Sequence, residues 1–389
     1  MSTLFTGISE LRTVSERGTL NDAAIIAQSG TIAWVGPASE APAADEQVDL
    51  GGRAVLPGWV DSHTHMVFDG DRSAEFEARI SGGSYEAGGI AVTMDATRQA
   101  GTDRLDKLVA DRVAAGRRGG TTTFETKTGY GLNTESEVEA AKVASRHVDD
   151  VTFLGAHLVP PGADAEEYLD EVVGPMLEGV APYVQWIDVF CERGAFNEEQ
   201  SRRVLEAGKK LGLGLRVHGN QLGEGPGVAL AVELGAASVD HVNHLTDEDI
   251  ELLANSDTVA TMLPACDLST REPLAPGRTL LDAGATLAIA SNLNPGTSYT
   301  SSMNYCVTTA VLQQHLSVDE AIHAATTGGA TALRRHNVGN GLDPQGRPAK
   351  GTIMEGAAAD LHVLDAPSAV HLAYRPGMPL SYRTFIAGA

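Results

Sequence analysis

Eight short apolar runs rich in β-branched residues constrain this chain more than any other feature. They cover residues 55–63, 121–127, 151–157, 185–191, 212–219, 237–242, 258–265 and 285–292, with helix-like stretches between them. Strands covered on both faces by crossover helices read as continuous apolar runs, so this alternation points to a parallel sheet. A βα period repeated eight times predicts an α/β fold of the (β/α)8 TIM-barrel type. The helix starts carry signals of their own. Thr134-Glu135-Ser136-Glu137 and Ser317-Val318-Asp319-Glu320 read as capping boxes, in which hydroxyl and carboxylate satisfy orphan amides.

The flanks read differently. Ala24-Ile25-Ile26 and Thr31–Val35, separated by Gln28-Ser29-Gly30, form a hairpin pattern, and Ala359–Leu364 supplies a second short β pattern near the other end. We therefore expect a small β-sandwich domain built from both terminal segments, 1–60 and 347–389, beside a barrel of 61–346.

With 389 residues, 42% of them hydrophobic, the chain can bury a full-sized core. A formal net charge of -23 repels nucleic acid and anionic lipid, and neither is expected as a partner. No apolar run approaches the ~18 residues of a membrane span, and MSTLFTGISE lacks the basic and apolar regions of a signal peptide. The expectation is a cytoplasmic protein. Cys191, Cys266 and Cys306 are too scattered for a disulfide framework or a CxxC zinc site, and read as reduced core thiols.

The chemistry gathers at strand ends. Asp61-Ser62-His63-Thr64-His65 closes the first run, and residues two apart on a strand present side chains to the same side. His157, His218 and His241 close the third, fifth and sixth runs, and Asn292 closes the eighth. All strand C-termini of a parallel barrel meet on one face, so five imidazoles converge there, a donor set suited to zinc or iron. His147, His315, His323, His336, His362 and His371 fall elsewhere and read as structural or solvent-facing. The fourth run, Trp186–Phe190, offers no lysine for a bridging carbamate, which favours a mononuclear site; Cys191 and Glu192 at its end read as rim support.

Four segments narrow the reading further: Val67-Phe68-Asp69-Gly70-Asp71-Arg72, Lys127-Thr128-Gly129-Tyr130-Gly131-Leu132, Phe153-Leu154-Gly155-Ala156-His157 and Asn294-Pro295-Gly296-Thr297-Ser298. Through these the chain resembles the imidazolonepropionase family of amidohydrolases, and the resemblance runs through the barrel and both flanking β segments. It implies metal-dependent hydrolysis of 4-imidazolone-5-propanoate to N-formimidoyl-L-glutamate in histidine degradation. It further implies one zinc or iron ion per subunit on His63, His65 and His218, with Asn292 where the family commonly places an aspartate. Arg72, Tyr130, His157, Gln221, Asn294, Gly296 and Thr297 match substrate-contacting positions, and a homodimer is the family's suggestion. A guanidinium suits the anionic propanoate because it binds carboxylate bidentately.

Two departures bear on mechanism. Gln221 and Asn292 stand where related enzymes often carry glutamate and aspartate, and an amide cannot take a proton at neutral pH. With Gln221 and Asn292 left to orient and coordinate, His241 becomes the candidate that polarises the ring carbonyl or accepts a proton from the attacking water, its intrinsic pKa near ~6.5 suiting proton transfer. Two other readings stand beside this one: an aminohydrolase of a purine or pyrimidine ring, and a non-catalytic homologue that binds a small anion.

Overall fold

The computed structural model describes residues 1–81 and 89–389. Each of the eight runs forms a strand: Trp59–Asp61, Thr121–Lys127, Asp150–Ala156, Trp186–Cys191, Gly214–Gly219, Ser238–His241, Val259–Met262 and Leu287–Ile289. They lie in chain order, every neighbouring pair parallel. Strand one meets strand eight through the loops that follow them. Asp61 accepts from the Ser291 amide and hydroxyl at 2.9 and 2.6 Å, the Asn292 amide donates to the His63 carbonyl at 3.0 Å, and the His65 amide to the Leu293 carbonyl at 2.8 Å.

The first run is divided, which corrects the sequence reading. Residues 55–57 end a long strand of the other sheet, Glu46–Pro57, and the chain turns at Gly58 into the barrel. Only glycine fits that corner, because a Cβ there would lie 2.2 Å from the Thr122 side chain. His63 and His65 consequently sit on the loop after the strand, and hydrogen bonds rather than strand alternation orient them.

The terminal segments build one six-stranded mixed sheet in the order Ser381–Phe385, Leu361–Leu364, Glu46–Pro57, Ser2–Arg12, Thr19–Gln28 and Thr31–Pro37. Glu46–Pro57 and Ser2–Arg12 pair in parallel and the other neighbours antiparallel. Ser29 and Gly30 have φ of 52° and 84°, the left-handed pair that a tight hairpin requires. Phe5, Ile25, Val55, Leu361 and Phe385 pack into this sheet's own core.

Of the two expected capping boxes, Ser317 with Glu320 forms. The other does not, because Asn133 takes the cap of helix Thr134–Ala144 and shifts the register by one residue. Glu137 is thereby freed to accept from the amides of Gly129, Gly131 and Leu132 at 2.7–2.8 Å, and it pins the Lys127–Leu132 loop over the barrel mouth.

Candidate active site

His63, His65 and His218 place ring nitrogens within 4.8 Å of one another. The Nε2 of His65 lies 3.2 Å from that of His63 and 3.5 Å from that of His218. Three nitrogens about 2.0–2.1 Å from one tetrahedral ion are spaced roughly 3.3–3.4 Å apart, so the cluster already has the span a metal demands. The tautomers agree. His63 Nδ1 donates to Asp240 at 2.7 Å and His218 Nδ1 to Asp188 at 3.0 Å, which leaves both Nε2 lone pairs facing inward. Burial, reinforced by Lys127, pushes His63 down to about 3, and burial among the other imidazoles holds His65 well below its ordinary value. Neutral imidazole is the form that ligates, and the residues present fit the ion that the family resemblance implies.

Beneath the histidines lies a fully buried ionic lattice. The Lys127 ammonium bridges Glu125 and Asp188 at 2.9 Å each and stands 4.0 Å from Asp240. Arg216 reaches Asp240 at 3.1 Å and donates to the carbonyls of Ser62 and Ala332. Burial alone would raise the pKa of Asp240, but Arg216, His63 and Lys127 outweigh it and keep the carboxyl well below the usual range. Asp188 behaves likewise under His218 and Lys127. Each carboxylate thus stays ionised and fixes the ring it accepts from.

Above the histidines opens a cavity of about 140 Å³. Its walls include His65, Arg72, Tyr130, His157, His218, Gln221, His241, Asn292, Asn294, Gly296 and Thr297, so every candidate residue from the sequence except the deeper His63 lines one space. His241, the last residue of its strand, and Asn292, on the loop after the eighth, have φ of 88° and 51°, a left-handed backbone that costs a non-glycine residue roughly 1–3 kcal/mol and is kept where surrounding structure dictates it. The Asn292 Oδ1 is buried without a partner. Glu192 accepts from the Gln221 amide and so sets that loop, in keeping with rim support. His157 donates from Nδ1 to the Gly129 carbonyl at 2.8 Å and stacks on His65, and burial drops its pKa to about 4. The intrinsic pKa assumed for His241 needs correction: burial holds it well below 6.5.

The Arg72 end of the cavity is built from loops. Arg72, 8% exposed, is gripped by Glu75 through Nε at 2.8 Å and Nη2 at 2.6 Å. Its guanidinium lies against Gly296, where a Cβ would stand 2.5 Å from Nη1. Asn294 spends its side chain on the loop itself, accepting from the Gly296 and Thr297 amides and donating to the Asn292 carbonyl. A wider recess of about 550 Å³ opens beside the cavity and shares Arg72, Gly296 and Thr297.

No family model matches the chain. Curated relatives do. The imidazolonepropionase of Arthrobacter sp. (strain FB24) is 63% identical over 100% of this chain and 99% of its own length. The chain belongs to the imidazolonepropionase family. The imidazolonepropionase of Streptomyces coelicolor, 52% identical over 97% of this chain and 96% of its own, extends the match to a more distant relative. Solved structures agree on the fold. An adenosine deaminase from Xanthomonas campestris with bound zinc superimposes with a TM-score of 0.72 at 20% identity, covering 99% of this chain and 92% of that one. A variant atrazine chlorohydrolase from Arthrobacter aurescens with zinc and atraton gives 0.74 at 18%, covering 99% and 94%. Both of those structures hold zinc.

The sequence reading missed the lattice of Glu125, Lys127, Asp188, Arg216 and Asp240. A signal was present: charged residues interrupt otherwise apolar strands, where an unpaired charge is not tolerated. His244 was also passed over; it pairs with Glu272 at 3.2 Å, away from the ligand cluster. Among the described residues no helix is long and apolar enough to cross a membrane.

Proposed function

We propose that this member of the family binds one zinc or iron ion on His63, His65 and His218, with the Asn292 carbonyl oxygen completing the set, and opens the imidazolone ring of 4-imidazolone-5-propanoate in the cavity above. The observation that carries the reading is the convergence of eleven candidate residues on one small cavity directly over the histidine cluster. When bound, the ion supplies Lewis acidity, activating water and polarising the lactam carbonyl.

The chain's own groups do the rest. Arg72 holds the propanoate carboxylate, which takes over or shares the guanidinium now engaged by Glu75. Tyr130 and His157 flank the ring, and the glycine at 296 lets anion and guanidinium approach the loop. His241 is neutral in the cavity, so it accepts a proton from the attacking water as the tetrahedral centre forms and returns it to the ring nitrogen as the C–N bond breaks. Burial keeps its imidazolium short-lived, which favours that return. Gln221, fixed by Glu192, hydrogen-bonds the ring without exchanging protons.

A urocanase-coupled assay on metal-replete and chelated enzyme, with the product identified by mass, tests the reading. Metal-dependent N-formimidoyl-L-glutamate, not ammonia, is expected, and His241→Asn should lower kcat by about 100-fold or more. Turnover within tenfold of wild type in that variant would remove the proton-transfer role from His241.

A further inference from the structure

His241 belongs to a second group of buried donors. Its ring, the Cys266 thiol and the Asp267 carboxylate place one ligand atom each within 4.8 Å of one another. Cys266 and Asp267 come from the first turn of helix Pro264–Thr270, directly after the seventh barrel strand, and His241 ends the sixth. All three are at most 2% exposed. The fold therefore brings sulfur, nitrogen and oxygen donors together beside the substrate cavity.

This combination has a chemical preference. Thiolate, imidazole and carboxylate together suit zinc or cobalt and are a poor set for magnesium or calcium, which take oxygen alone. Protein partners occupy the cluster incompletely. His241 Nδ1 is buried with no hydrogen-bond partner. Asp267 accepts from the Ala275 amide at a long 3.4 Å, and its other neighbour is the Asn243 side chain. The thiol lies 4.0 Å from Gln221 Nε2 and also touches the side chains of Asn292 and Thr297. Those three residues line the substrate cavity, so an ion that enters there reaches the cluster without crossing the core.

We propose that His241, Cys266 and Asp267 form a second site for a thiophilic divalent cation, and that filling it inhibits the enzyme. The ion displaces the thiol proton to solvent as the Cys266 sulfur binds, and it ties up the His241 imidazole. A cation there also crowds the cavity where the ring must sit. The inhibition rests on the role given to His241 above; the binding does not.

Cobalt separates the two sites, since the His63–His65–His218 set contains no sulfur. The first equivalent of Co(II) added to the metal-free full chain should restore activity and produce only ligand-field absorption. A second equivalent should add a thiolate-to-cobalt charge-transfer band in the near ultraviolet and lower activity by about tenfold, the loss expected if most molecules carry an engaged His241. Cys266→Ser should bind one equivalent, lack the band and resist excess cobalt; Asp267→Asn, which keeps the thiol, should weaken the second binding at least tenfold. Saturation at one cobalt per chain, or a band that persists in Cys266→Ser, overturns the proposal. Failure of the first equivalent to restore activity would instead count against the primary metal site, and it is read before the second equivalent is added.

Discussion

The two ends of the cavity are held by opposite means. The histidine end stands on strand termini and the short loop after the first strand, and its rings are fixed from below by Asp188 and Asp240, which Lys127 and Arg216 fix in turn, all without solvent. The arginine end stands on loops, and its guanidinium is held by Glu75, whose side chain is 29% exposed. In a water-free interior a carboxylate and its cation have no alternative partners, so the arrangement is rigid. At a partly wet rim the same pairing is weak enough to exchange for another carboxylate. On the function proposed above, chemistry is placed where geometry cannot drift, and recognition where a partner can be replaced.

The sharpest way to break the comparison is Asp240→Asn. It removes the anion shared by His63 and Arg216, and we expect a loss of about 3–5 kcal/mol in stability together with 10–100-fold weaker metal binding. Thermal melting and chelator competition would measure both; a melting curve like wild type would show that the lattice does not hold the site. At the other end Arg72→Met should leave melting and metal content nearly unchanged while kcat/KM falls on the order of 100-fold, mostly through KM, as expected when a charge-assisted pair to the tail is lost. A fall confined to kcat would place Arg72 in the chemical step instead. Glu75→Gln is the mildest test. If Glu75 competes for the guanidinium, KM should drop roughly two- to threefold, the scale of a partly solvated ion pair. A KM that rises would make Glu75 a positioning group for Arg72.

Much of this site was legible before any coordinates. His63, His65, His157, His218, His241 and Asn292 each end an apolar run, and a parallel barrel sends every such end to one face. The KTGYGL and NPGT segments marked the loops that carry Tyr130, Asn294, Gly296 and Thr297. Other assignments failed for local reasons. Thr134 and Glu137 have the spacing of a capping box, yet Asn133 outcompetes the threonine and the glutamate turns to the Gly129–Leu132 amides. Residues 55–63 read as one strand because nothing in hydropathy records the close approach of Thr122 that bends the chain at Gly58.

What the sequence by itself determined, then, is the period and the order: eight strands, helices between them, imidazoles at the ends, and a β unit from the two termini. Those follow from local patterning, where each residue's preference depends on its neighbours along the chain. The tertiary structure alone decided which carboxylate holds which imidazole, that Lys127 ties Glu125 to Asp188, and that His241 shares a cluster with Cys266 and Asp267. Those pairings join residues far apart in the chain, and their strength depends on the exclusion of water, a property of the packed molecule that no stretch of sequence carries alone.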